Sequence, residues 1–142
     1  MENQYEYKAK VVWAGDKKGR AEVDGLPVLD VAIPPEFNGH PGIWSPESLL
    51  VSSVASCIMT TFIAIAEASK FNFSGYESTA KGLLEKTDSG YRFTSIEVAV
   101  TLKVGAGEES KGQRLLEKAE QNCFISKSVN AEVHLKAEVV AE

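Results

Sequence analysis

The chain has 142 residues, 44% hydrophobic and 25% charged, with a net charge of −5. That length makes one domain, residues 1–142, able to bury roughly 68% of its unfolded surface, and the composition is that of a soluble globular protein. The acidic balance excludes a nucleic-acid footprint, and the polar N-terminus (Met1-Glu2-Asn3-Gln4-Tyr5-Glu6) lacks the basic and apolar segments of a signal peptide, which points to the cytoplasm.

Tyr5, Tyr7, Ala9, Val11 and Trp13 alternate with Glu6, Lys8 and Lys10, the period of a half-buried strand. A turn at Gly15-Asp16-Lys17-Lys18-Gly19 leads to a short strand over Arg20 to Val23. Asp24-Gly25 turns again before a third strand from Leu29 to Ile33. Residues 34–43 hold three prolines and two glycines and read as an irregular loop, with Phe37 and Trp44 giving it surface to dock.

The long helix that follows organises the chain. Ser45 can cap it, Pro46 suits its first position and Glu47 its first turn. From Ser48 to Ala66 there is no charge. Such a stretch could span a bilayer by length. Its interrupting hydroxyls (Ser48, Ser52, Ser53, Ser56, Thr60, Thr61) and the absence of a flanking Lys/Arg cluster point instead to a buried central helix.

Beyond it, Tyr76 to Glu85 reads as a strand and residues 86–90 as a hairpin turn. Ile96, Val98, Val100, Leu102 and Val104 then mark one face of the next strand. Glu108 and Glu109 open a second helix, with Leu115, Leu116 and Ala119 inward, ending near Asn122. Cys123 starts a short helical stretch, and Val133, Leu135, Ala137 and Val139 form a last strand. Three strands, helix, two strands, helix and strand make an α+β fold with mainly antiparallel sheets around a long central helix. One sheet face cannot cover so apolar a helix, so a homodimer with this helix at or near the interface is expected.

The chemistry narrows to the cysteines. His40 and His134 have no zinc-like spacing with Cys57 and Cys123, so no metal is expected. No glycine-rich phosphate loop occurs. In the cytoplasm two cysteines are core thiols or redox groups rather than a static disulfide. Cys57 as a small core residue is the bland reading. Against it, Ser53, Thr60 and Thr61 lie one helical turn from Cys57 and make a polar stripe. Cys123 stands at a helix start, where backbone N–H groups can stabilise a thiolate. Mid-helix, Cys57 needs a nearby cation, and Lys17, Lys18 and Arg20 in and beside the first loop are the candidates. Glu47 could hold such a cation. It lies ten positions from Cys57, about 15 Å of helix rise, so a helpful Glu47 comes from the partner subunit.

Ser45-Pro46-Glu47-Ser48-Leu49-Leu50 followed by Cys57, and Ala119-Glu120-Gln121-Asn122-Cys123, resemble the two cysteine segments of the OsmC/Ohr family of hydroperoxide-resistance proteins. Trp13-Ala14-Gly15-Asp16 and Phe37-Asn38-Gly39 are similar to OsmC-type stretches as well. The resemblance implies an intertwined homodimer and a thiol-dependent peroxidase for organic hydroperoxides. It makes Cys57 the peroxidatic cysteine, Cys123 the resolving one and Glu47 the acid that positions an arginine. It also implies no cofactor beyond a thiol or lipoyl reductant. The chain differs from the family at the arginine itself, reading Lys17 or Glu36 where members carry one, which leaves Arg20 or Lys17 as the cation partner. The alternative is a non-catalytic dimer that binds a small apolar ligand at its interface.

Overall fold

The computed structural model describes residues 3–142; Met1 and Glu2, the start of the acidic N-terminal segment, lie outside the described residues. The chain divides into two compact units, Met1–Leu50 and Val51–Glu142.

In the first unit, β1 (Lys10–Trp13), β2 (Lys18–Glu22) and β3 (Leu29–Ala32) form an antiparallel meander in that order. Gly15 and Asp16 take left-handed backbone angles in the β1–β2 turn, which glycine and aspartate tolerate best. β1 is shorter than its alternating pattern predicts. β2 ends at Glu22 opposite Lys10, so residues before Lys10 have no strand to pair with, and Tyr7 is 92% exposed. After β3 the loop makes one 3-10 turn, Pro35–Phe37, and folds back on Ile33 through Gly39. A Cβ at Gly39 would lie 1.6 Å from the Ile33 carbonyl oxygen, so only glycine fits.

Helix α1 (Pro46–Ala68) starts where Ser45 and Pro46 predict. The Ser48 N–H donates to Ser45 Oγ (3.1 Å) and the Ser45 N–H donates to Ser48 Oγ (3.0 Å), a capping box with serine at both ends. At the far end Lys70 takes a left-handed conformation. The Phe71 N–H then reaches the Ala66 carbonyl (2.8 Å) and the Lys70 N–H the Glu67 carbonyl (3.1 Å), the pattern of a Schellman stop.

In the second unit, β4 (Gly75–Thr87) and β5 (Gly90–Val104) form a long antiparallel hairpin, and β6 (Glu132–Ala141) lies on the other side of β5. The β5–β6 pair is parallel, whereas the other named strand pairs are antiparallel. Helix α2 (Glu109–Gln121) carries the chain back across the sheet, the crossover that a parallel pair requires. The alternating residues of β5 are all buried. They form one core with Val54, Ile58, Phe62 and Ala66 of α1 and with Leu115, Leu116 and Ala119 of α2. β4 approaches α1 through Gly82, where a Cβ would lie 2.6 Å from Val51 Cγ2.

By length and composition α1 could cross a membrane. Its fully buried residues form a single stripe at four-residue spacing, flanked by Val51, Ala55, Cys57 and Ile65 partly buried against the same core; residues on the other side, Ile63 among them, are exposed. The helix expected to be buried all round is thus buried on one side within this chain.

Candidate active site

Cys57 and Cys123 are both free thiols of the second unit, and the fold brings their side chains close enough for each to act on the other's ionisation. α1 supplies the half-buried Cys57, with Thr61 one turn further on and its Oγ1 3.9 Å from the sulfur. Cys123 follows the end of α2, where the Asn122 side chain donates to the Lys118 carbonyl (2.8 Å). The chain then makes a tight turn. The Ser126 N–H donates to the buried Cys123 Sγ at 3.4 Å across that turn. The backbone of Ile125 and of Phe124 lies near enough to Cys57 to favour its thiolate.

These contacts pull the two thiols apart in acidity. Burial of Cys57 disfavours its thiolate. The Cys123 thiol, the Ile125 N–H, the Thr61 hydroxyl and the Phe124 N–H outweigh that cost, and Cys57 ionises below the ordinary thiol range. Cys123 is pushed up, first by burial and then by the Cys57 sulfur, with the Ser126 hydroxyl and N–H acting in the opposite direction. The Ser126 Oγ faces that sulfur without a well-formed hydrogen bond. A pair of adjacent sulfurs, one easily ionised and one protonated, can perform nucleophilic attack followed by disulfide closure.

The groups that favour the Cys57 thiolate are neutral donors. Sequence reasoning looked for a cation and missed the two backbone N–H groups. Their only trace in the sequence is the position of Cys123 at the start of a turn.

Of the other residues singled out, Lys17, Arg20, His40 and Glu47 lie in the first unit and His134 in the second. Lys17 Nζ donates to the Asn38 carbonyl at 2.6 Å, which ties the β1–β2 turn to the loop after β3. Arg20 is exposed on β2, opposite Val12 and Asp30. Lys17 and Glu47 line one cavity of about 570 Å³, whose walls include Val12, Trp13, Ile33 and Phe37. Glu47 Oε1 is buried there without a hydrogen-bond partner. His40 pairs with Asp16 at 2.8 Å. His134 is exposed on β6, as its place in the alternation predicts, and lies 3.5 Å from Glu132.

Residues 39–138 match the family model described as OsmC-like protein, and the chain belongs to that family. It is 26% identical over 133 residues to the peroxiredoxin OsmC of Escherichia coli, which covers 90% of this chain and 92% of that one. An organic hydroperoxide resistance protein OsmC from Legionella pneumophila superposes with a TM-score of 0.76 at 26% identity, over 95% of this chain and 96% of that one. An OsmC-like protein of unknown function from Vibrio cholerae superposes at 0.85 over 96% of this chain and all of its own, and at 22% identity it bears on the fold alone.

Proposed function

We propose that the protein is a thiol-dependent peroxidase that reduces organic hydroperoxides. What supports this is the proximity of Cys57 and Cys123, whose thiols act on each other and are moved in opposite directions in acidity. The Cys57 thiolate attacks the outer oxygen of ROOH. The O–O bond breaks, sulfur gains an oxygen to become a sulfenic acid, and the alkoxide leaves as ROH after taking a proton. The Cys123 sulfur then displaces hydroxide from the sulfenic acid, and water departs as the disulfide forms. Two thiols, or one lipoyl-type dithiol, reduce that bond by exchange and return both cysteines to the free state. The cytoplasm, rich in such reductants, is the compartment this cycle fits.

The working unit is a homodimer. Support comes from the uncovered sides of α1 and from exposed Val11 and Trp13 (75%) in the first unit, which are apolar surfaces in need of a cover. A second copy would also bring Glu47, with Lys17 or Arg20, to the Cys57 of its partner. The unpartnered Glu47 oxygen supports this, because a buried carboxylate oxygen calls for a donor.

The test is peroxide consumption, with a dithiol reductant, by the wild type and by Cys57→Ser and Cys123→Ser. Loss of activity in Cys57→Ser and a single turnover in Cys123→Ser are expected. Equal rates in wild type and Cys57→Ser would end the proposal. A second reading, a non-catalytic binder of a small apolar ligand, is favoured by the apolar walls of the 570 Å³ cavity. Saturable binding of an apolar dye with no peroxide turnover would select it.

A further inference from the structure

We propose that Thr61 is a positioning residue for Cys57: its hydroxyl donates to the ionised sulfur and fixes that sulfur's orientation for attack. This deepens the peroxidase reading of the same site and rests on it for its consequence in turnover, though not for its first test.

Four features of α1 carry the inference. Residues 57 and 61 are one turn apart and share a helix face. The Thr61 Oγ1 lies 3.9 Å from Cys57 Sγ, within range of a hydrogen bond to sulfur. A helical threonine usually turns its hydroxyl back onto a carbonyl of the preceding turn. Here Thr60 does so, donating to the Cys57 carbonyl at 3.2 Å, while Thr61 faces the thiol. Finally, Thr61 is half-buried, with Ile58 and Ile65 one helical turn away on either side, and valine would fill the same volume without a polar atom. A thiolate carries no proton, so in the reactive state the hydroxyl must be the donor. The titratable group facing Cys57 is the Cys123 thiol, from the turn after α2, and its other partners there are the uncharged N–H groups of Phe124 and Ile125. A hydroxyl from α1 thus approaches the sulfur independently of the α2 side of the site.

The experiment measures the pH dependence of Cys57 alkylation by iodoacetamide, located by peptide mass spectrometry, in the wild type, Thr61→Val and Thr61→Ser. In Thr61→Val the midpoint rises by about half to one pH unit and the rate at pH 7 falls about three- to tenfold, the scale of one ordinary hydrogen bond. Thr61→Ser returns both toward wild type, a rescue that a packing role would not give. If Thr61→Val does not fold, judged by far-UV circular dichroism, Thr61→Ala takes its place. A folded variant without the hydroxyl that titrates like wild type overturns the inference. Peroxide consumption is read separately. A shifted midpoint in a protein without peroxidase activity upholds the role of Thr61 and removes the peroxidase reading, whereas full wild-type turnover with an unshifted midpoint removes the role of Thr61 alone.

Discussion

In Val51–Glu142 the alternating residues of β5 close on α1 and α2, and Ile58, Phe62, Ile96 and Leu102 have no exposed surface. In Met1–Leu50 the same kind of alternation on β1 leaves Val11 and Trp13 in the open. Both strands have the pattern of a covered face, and only one of them is covered by its own chain. A period-two pattern therefore states that a face is to be buried, not by what. The thiols follow the same division: they lie in the unit that completes its own core, while the carboxylate lacking a partner lies in the unit that does not.

The largest effect that could break this comparison is on stability. Phe62→Ala removes a fully buried ring that packs 5.1 Å from Phe73, and is expected to cost about 3–5 kcal/mol in urea unfolding. Trp13→Ala should leave the fold within about 0.5 kcal/mol when measured on dilute monomer. It should weaken self-association in sedimentation velocity. The reverse ranking would mean that the first unit completes its own core after all.

A sharper version concerns the site. Phe124 lies in the turn after Cys123, outside any helix or strand. Phe124→Pro removes one N–H from Cys57 and should raise its alkylation midpoint by up to about one pH unit, whereas Phe124→Ala keeps the N–H and the midpoint. Identical behaviour of the two variants would assign the effect to the ring, which is 79% exposed.

The pH dependence has a definite sign. The Cys57 acidity is raised, so its alkylation should climb at a pH below that of an ordinary thiol; Cys123 is moved the other way and should climb later. Site-resolved alkylation across pH 5 to 10 orders the two, and Cys123 reacting first would invert the assignment of attacking and resolving sulfur.

The smallest effect belongs to His40. Its contact with the largely exposed Asp16 is a surface pair, so His40→Ala should change stability by less than about 1 kcal/mol by thermal melting. A larger loss would show that this contact, rather than Gly39 and the Lys17–Asn38 bond, anchors the loop after β3.

What was legible in the sequence was local. Ser45-Pro46 announced the start of α1, the alternation from Ile96 to Val104 announced the buried face of β5, and Leu115, Leu116 and Ala119 announced the inward side of α2. Each depends on a few neighbouring residues. The extent of β1 depends on where β2 ends, and the parallel placement of β6 on the path of α2, so neither could be read from its own residues. At the site, both cysteines stood out by their surroundings in sequence. Their meeting depended on the whole second unit and came only with the family resemblance. The donors to Cys57 were hidden for a different reason: two of them are backbone groups, which every residue but proline carries.

The most direct measurement is intact and peptide mass spectrometry of the reduced protein after one equivalent of an organic hydroperoxide, with all remaining thiols alkylated under denaturing conditions. A loss of two hydrogen atoms in mass and a peptide pair joined through Cys57 and Cys123 is the predicted result. Full alkylation of both cysteines, with the hydroperoxide unconsumed, would contradict it.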